Sequence, residues 1–207
     1  TNVIINYLNA MGNDVVFDYV AINNPNVFYI KFLKEKGAAL YTLKRRNVLG
    51  YIGALSKIIK KNKYDAIHVH GNSHTVVLEL LAAKLAGCKV RIIHAHSTGC
   101  NSVVLHKLLA GLFDSLCTDR LACGEEAGKF MFGNKPFKII NNGVDVEKFS
   151  FDNNARGTLR VKLALTETDI LIGHVGYFMP VKNQSFLVDV FAELAKNDSR
   201  YHLLLIG

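Results

Sequence analysis

Short apolar runs alternate along the chain with segments whose apolar residues recur at helical spacing. Most of the short runs are almost continuously apolar, which is typical of strands covered on both faces. We predict strands at Val15–Val20, Ala38–Leu43, Ala66–His70, Val90–Ala95, Arg120–Cys123, Phe137–Asn141, Ile170–Val175 and His202–Ile206. Helices are predicted over residues 47–63, 74–86, 103–116, 125–132, 157–165 and 183–196. The alternation predicts an α/β fold with a mostly parallel, doubly wound sheet.

A polar stretch near residue 150 separates two parts of the chain. We predict an α/β domain over residues 1–150, and over residues 151–207 the first strand, helix and strand of a second domain. The second part is too short to bury a core of its own. We therefore expect the second domain to continue beyond Gly207, and the first residue, Thr1, to differ from the natural start.

Composition excludes several classes of protein. Half of the 207 residues are hydrophobic and a fifth are charged, which indicates a folded globular chain. No apolar stretch reaches the roughly 18 residues that span a bilayer. The four cysteines form no C-x-x-C pair, so we expect reduced thiols in a cytoplasmic protein. The chain also lacks the glycine motifs of dinucleotide-binding and P-loop proteins.

The net charge of +8 is concentrated in the first part of the chain. Residues 31–63 contain ten lysines and arginines and a single acid, Glu35, which suggests an anionic partner. Within residues 44–63, apolar positions at helical spacing accompany Lys57, Lys60, Lys61 and Lys63. Such a helix could rest on anionic lipid. Alternatively, it packs on the sheet and leaves its lysines in solvent; nucleic acid is not expected, because stacking aromatics are not interleaved.

Histidines end two of the predicted strands. His68 and His70 close one strand, and His94 and His96 lie at the end of the next. Ligands bind at the carboxyl ends of parallel strands, where a histidine can act as a base or hydrogen-bond a sugar hydroxyl. Alternatively, these are core or loop histidines whose ring nitrogens are hydrogen-bonded within the protein and which have no role in binding or catalysis. Zinc is a further alternative, although no acidic or cysteine ligand lies at suitable spacing.

A second candidate site follows the strand Ile170–Val175. A glycine turn at Gly176, a lysine at Lys182 and a predicted helix start near Asn183 follow one another. Exposed amide groups at a helix start attract phosphate, and Lys182 would add a positive charge. An ordinary turn with a solvated lysine is the alternative.

Five segments, in this order, resemble the retaining glycosyltransferases of family 4, and in particular bacterial enzymes of capsular and exopolysaccharide synthesis. The segments are Ala66–Gly71, Ile93–Thr98, Leu121–Gly128, Ile139–Asp145 and Val175–Asn183. The resemblance implies a GT-B fold, in which two Rossmann-like domains bind the acceptor and the nucleotide sugar. It also implies transfer with retention at the anomeric carbon and no divalent metal or other cofactor.

The resemblance assigns roles to individual residues. His96 matches the family histidine beside the reacting sugar, and Lys182 matches the lysine that holds the diphosphate. The acceptor and cleft residues that it implies are His70, Ser97, Thr98, Glu125 and Asn142. The residues that it implies bind the diphosphate are Gly176, Tyr177, Lys182 and Asn183. Tyr177 departs from the family pattern, which has arginine there, and a tyrosine brings no positive charge.

The resulting hypothesis is a cytoplasmic glycosyltransferase at the inner membrane face that moves a sugar from a nucleotide sugar to a lipid-linked glycan. The family's glycine-rich loop would precede Thr1 and its acidic donor motif would follow Gly207, so we expect this polypeptide alone to be inactive. Two alternatives stay open: a nucleotide-sugar epimerase of the same fold, and a non-catalytic protein that binds nucleotide sugars.

Overall fold

A computed structural model describes residues 2–11, 15–22, 24–25 and 27–207 of the chain. The chain divides into two compact units, Thr1–Asp145 and Val146–Gly207. The predicted strand Val15–Val20 lies within the described ranges.

The first unit alternates helices with parallel strands. Its elements are α1 (Asn2–Ala10), β1 (Tyr19–Ala21), α2 (Val27–Glu35), β2 (Leu40–Thr42), α3 (Val48–Asn62), β3 (Ala66–Gly71), α4 (Val77–Leu85), β4 (Val90–Ala95), α5 (Val103–Leu108), α6 (Ala110–Leu116), β5 (Asp119–Ala122), α7 (Glu125–Phe132) and β6 (Lys138–Ile139). Strands β3, β4, β5 and β6 form one parallel sheet in that order, and β1 pairs with β2 in parallel. A short 3₁₀ turn over His74–Val76 precedes α4.

One face of the four-stranded sheet builds the main core. Ile93 and Ala95 of β4 are fully buried there, together with Leu80 of α4 and Phe113 of α6. A second core lies between α3 and α4, where Leu55 and Ile59 pack against Ala82 and Ala83. Because side chains alternate along a strand, the residues between these core positions point to the opposite face of the sheet.

The second unit has the same alternation on a smaller scale. It contains α8 (Asn153–Lys162), β7 (Ile170–Val175), a 3₁₀ turn over Pro180–Lys182, α9 (Gln184–Asn197) and β8 (Tyr201–Ile206). Strands β7 and β8 are parallel, in the register Gly173 to Leu204. The α/β fold with parallel strands that the sequence predicted is therefore confirmed.

Several predicted boundaries are wrong, and two elements were not predicted. The first strand begins at Tyr19 rather than Val15, and the helix predicted over 103–116 breaks at Leu109. The strand predicted over Phe137–Asn141 is reduced to two residues. Helix α8 begins four residues before the predicted 157. No element was predicted where α1 and α2 form, because their β-branched and aromatic residues have weak helix propensity.

The apolar side of α3 is used inside the first unit. Tyr51, Ile52, Leu55 and Ile59 are buried, while Lys57, Lys60 and Lys61 are exposed. Of the two alternatives for this helix, the structure therefore shows the one in which its apolar residues pack inside the unit and its lysines lie in solvent. Within the described part of the chain, no helix has both the length and the apolar character that a membrane span needs.

Candidate functional site

The register of the sheet brings the histidines of two strands together. His70 of β3 lies opposite His94 of β4, and both strands run in the same direction. Strand alternation places His68, His70 and His94 on the face opposite the main core. His96 follows directly after β4, so the group lies at the carboxyl end of the sheet, where parallel sheets bind ligands.

The four rings pack closely together. The ring centroids of His94 and His96 are 4.2 Å apart, and those of His68 and His70 are 4.3 Å apart. A hydrogen bond joins Nδ1 of His70 to Nε2 of His96 at 2.7 Å. The two histidines that the sequence assigned to the site, His70 and His96, are therefore in direct contact.

The surroundings of these rings keep them neutral. Burial lowers the pKa of His94 to about 4, and the neighbouring histidines lower it further. Burial, with His68 and His96 nearby, lowers the pKa of His70 to about 3. Burial also lowers the pKa of His96, and a side-chain hydrogen bond with Asn142 acts in the opposite direction. A neutral imidazole can accept a proton or a hydrogen bond, which is the form a general base requires.

Helix α1 and the loop after β6 cover the histidine face. The ring of Tyr7 stacks on His94 with 6.3 Å between centroids, and its hydroxyl donates to the carbonyl oxygen of Asn141 at 2.9 Å. The side-chain amide of Asn6 donates to the carbonyl oxygen of Gly143 at 2.7 Å. These bonds hold the loop that carries Asn142 against His96. The sequence assigned no role to Asn6 and Tyr7, because no helix was predicted there.

The other residues predicted for this site lie near its edge. Ser97 closes a turn after β4, where its hydroxyl donates to the carbonyl oxygen of Gly99 and accepts from the Gly99 amide, both at 3.3 Å. Thr98 is exposed in the same loop. Glu125 begins α7 and pairs with Lys129 at 3.3 Å on the surface. The Glu125 carboxylate is therefore paired within its own helix, and its position in the first turn is one that the helix dipole favours.

The residues predicted to bind the diphosphate lie in a turn of the second unit. Gly176 follows β7 and donates its amide to the carbonyl oxygen of Ile206 at 2.7 Å. A Cβ atom at Gly176 would lie 3.7 Å from Cδ of Lys182, so the lysine stem crosses this glycine. Asn183 has a left-handed backbone (φ 50°) and immediately precedes α9. Tyr177 is 78% exposed beside this turn.

Gln184 holds this turn and was not singled out by the sequence. Its side chain is buried, and its amide nitrogen donates to the carbonyl oxygens of Gly176 and Tyr177, at 3.2 and 2.8 Å. These bonds tie the end of β7 to the start of α9. The first N–H groups of a helix lack partners within it and attract anions, and Lys182 and Asn183 immediately precede α9.

Comparison with known proteins identifies sequence relatives. A family model described as glycosyl transferase 4-like matches residues 4–112. EpsF of Bacillus subtilis (strain 168), named as a glycosyltransferase, is 29% identical over 212 residues, which cover 93% of this chain and 54% of that protein. The UDP-Gal:alpha-D-GlcNAc-diphosphoundecaprenol alpha-1,3-galactosyltransferase of Escherichia coli is 38% identical over 155 residues, 69% of this chain and 38% of that enzyme. The chain thus spans about half or less of the length of these curated relatives.

Solved structures share the fold at low sequence identity. Alr3699/HepE of Anabaena, crystallised in complex with UDP, matches with a TM-score of 0.72 and 17% identity, over 90% of this chain and 51% of that chain. The UDP-GlcNAc 2-epimerase of Neisseria meningitidis, bound to UDP-GlcNAc, matches with a TM-score of 0.58 and 14% identity, over 99% of this chain and 61% of that chain. Likeness at this level shows the fold alone.

Proposed function

The chain belongs to the glycosyl transferase 4-like family, and from this premise we propose that it forms the acceptor-binding part of a retaining glycosyltransferase and the beginning of its donor-binding part. The observation that carries the proposal is the contact of His70, His96 and Asn142 at the carboxyl end of the sheet. The matched family model covers this first unit up to residue 112. Both curated relatives are named as glycosyltransferases.

In this proposal His96 acts at the reacting sugar. Its neutral ring can accept a hydrogen bond from a sugar hydroxyl, and His70 and Asn142 fix the direction of the ring through their hydrogen bonds. Ser97, Thr98 and Glu125 border the same end of the sheet and would contact the acceptor. A fixed ring contributes because the reacting groups must meet in one orientation.

The turn of the second unit would hold the diphosphate of the nucleotide sugar. Negative charge develops on the leaving phosphate as the glycosidic bond breaks, and a fixed cation stabilises it most at that moment. Lys182 supplies the charge and the start of α9 supplies amide donors, while Gly176, which has no side chain, lets the stem of Lys182 pass close to the backbone. Tyr177 can add one hydrogen bond. We expect this arrangement to work without a divalent metal or any other cofactor.

We further propose a lipid-linked glycan as the acceptor and the cytoplasmic membrane face as the place of reaction. The Escherichia coli relative is named for an acceptor of this kind, a diphosphoundecaprenol-linked sugar. Exposed lysines of α3 supply the positive charge that attracts anionic lipid. The polysaccharide role follows from the same relative and from the sequence resemblance.

The test is a transfer assay with a panel of nucleotide sugars, a diphosphoundecaprenol-linked GlcNAc acceptor and excess chelator. The assay uses this chain and the protein encoded by the complete gene. We expect transfer with retention from the complete protein, and a fall in kcat/KM of about 10²–10³-fold in His96→Ala and in Lys182→Ala. His202→Ala, which removes a histidine outside both groups, should leave the rate unchanged. Full activity in both site variants would contradict the assignment.

The same assay separates the two alternatives. An epimerase would change the nucleotide sugar in the absence of any acceptor, so new sugar nucleotide in the acceptor-free arm would favour it. A non-catalytic protein would bind UDP-sugar in a calorimetric titration and give no product in either arm. The name of the Neisseria match supports the epimerase only through the fold.

A further inference from the structure

Three of the sheet histidines have the arrangement of a metal-ligand set. His68, His70 and His94 each offer one ring nitrogen, and these three atoms all lie within 4.8 Å of one another. Zinc binds imidazole nitrogen at about 2.0–2.1 Å, so two ligands of a tetrahedral ion lie about 3.4 Å apart. The strand register already places His70 opposite His94.

An independent observation at His94 points to a ligand. Its side chain is fully buried, with 0% exposure, and neither ring nitrogen makes a hydrogen bond of normal geometry among the described residues; the backbone of Ile140 approaches the ring outside that geometry. Buried polar atoms are almost always paired, and leaving one unpaired costs free energy. Coordination through one nitrogen would satisfy an atom that the protein itself leaves without a partner.

The neighbours of the three rings fit a bound ion. His96 hydrogen-bonds His70, and an outer partner of this kind orients a ligating histidine. Tyr7 stacks on His94 from α1 and shields that side of the group. His68 is the most exposed of the three and leaves a path from solvent. A set made only of imidazoles suits zinc, copper and nickel, whereas magnesium, calcium and manganese favour oxygen ligands.

We propose that His68, His70 and His94 form a binding site for one divalent transition-metal ion of the zinc class, with a fourth position open to water or a ligand. The open position follows from the count of three, as in three-histidine zinc sites. The inference does not rest on the proposed glycosyl transfer, in which no metal takes part. An ion held here would lie beside His96, which hydrogen-bonds the ligand His70.

The test measures binding by the untagged chain after chelator treatment and without nucleotide sugar. Zn²⁺ is titrated in competition with a chromogenic chelator, and Co²⁺ is added separately to record the strong visible absorption of a tetrahedral imidazole site. We expect one Zn²⁺ per chain, and about tenfold or greater weakening in His68→Gln and in His70→Gln. His94 is left in place, because a substitution at a fully buried position could unfold the chain.

His202→Gln is the matched control, since it removes one histidine from the second unit. It should bind Zn²⁺ as the unaltered chain does, and Mg²⁺ should not compete. Circular dichroism confirms that each variant is folded. Zn²⁺ affinity that is equal in the unaltered chain and in the His68→Gln/His70→Gln double variant overturns the proposal. A failed transfer assay would leave this result untouched.

Discussion

At the residue scale, five histidines of the first unit share one property: burial disfavours their charged form. The pKa is lowered by burial at His68, His70, His94, His96 and His106. In the unfolded chain the same side chains have a pKa near 6.5. Below that pH the unfolded chain therefore binds more protons than the folded one. Folded stability is complete above pH 6.5 and is lost as the pH falls toward the folded values.

His106 gives this effect a testable form outside the sheet group. Its Nδ1 accepts a hydrogen bond from the His74 amide at 3.2 Å, and its ring stacks on that of His74 with 3.7 Å between centroids. Protonation would turn the acceptor into a donor facing another donor. In His106→Asn the amide oxygen can still accept, but the group no longer titrates. We expect the loss of stability between pH 6.5 and 5 to be shallower by up to about 1.4 kcal/mol per pH unit.

The measurement is urea unfolding at a series of pH values in the presence of chelator. The free energies of the two chains at pH 8 serve as the reference for each curve. The other four histidines still titrate, so the variant should retain part of the slope. Parallel curves for the two chains would contradict the prediction, because they would show that His106 binds a proton equally well in the folded and in the unfolded chain.

At the residue scale the sequence also shows its limits as a predictor of the site. Alternation along a strand is a local property, so the pairing of His94 with His96 on one face could be read from the chain. The contact of His70 with His96 depends on the register between β3 and β4, which two distant segments set together. Asn142 reaches His96 through a loop that α1 holds in place, and no local pattern encodes that contact.

At the scale of elements, a charged group links the start of α3 to α4. Glu79 of α4 is buried and accepts hydrogen bonds from Arg45 and from the hydroxyl of Tyr51. The arginine side chain is 31% exposed, whereas the carboxylate is 8% exposed. Removing the carboxylate would leave the tyrosine hydroxyl buried without its partner and the arginine charge without its counterion.

We expect Glu79→Ala to lower the free energy of unfolding by about 2–3 kcal/mol. This value is below that of a fully buried pair, because Arg45 can turn toward solvent. Glu126→Ala is the control: it removes an exposed carboxylate from α7 that lies 3.7 Å from Lys129, and should change stability by less than about 0.5 kcal/mol. Denaturant unfolding at pH 7.5 measures both, and equal effects would contradict a stabilising role for the buried group.

Elements with continuous patterns were the ones that the sequence predicted well. Strands β4 and β7 have the predicted limits, and α7 ends at Phe132, directly before Gly133, whose φ is positive (59°). The two strands are apolar runs, and α7 combines helical spacing with a glycine directly after its last residue. In contrast, α2 is rich in aromatic and β-branched residues, and packing rather than propensity makes it helical. Context of that kind is not visible in a single segment.

At the scale of the whole molecule, the uneven charge bears on where the protein works. The apolar side of α3 is buried against α4, so this helix cannot place that side in lipid. What remains for a membrane is its outer row of exposed lysines, together with Leu49, which is 82% exposed. The interaction would then be electrostatic, worth about 1 kcal/mol per lysine near an anionic surface and weakened by salt.

Charge reversal tests this contact directly. We expect Lys57→Glu/Lys60→Glu/Lys61→Glu to weaken binding to vesicles that contain anionic lipid by about a hundredfold, measured by co-sedimentation at low and at physiological salt. The control reverses Lys84, Lys89 and Lys107, three exposed lysines outside residues 44–63, and so changes the net charge equally. If the α3 row is the contact, only the first variant loses most of its affinity, and binding to neutral vesicles is weak throughout. Equal losses of vesicle affinity in both variants would show that the net charge of the chain, and not the position of the α3 lysines, determines binding. Unchanged binding in the first variant would rule out α3 as the membrane-facing element.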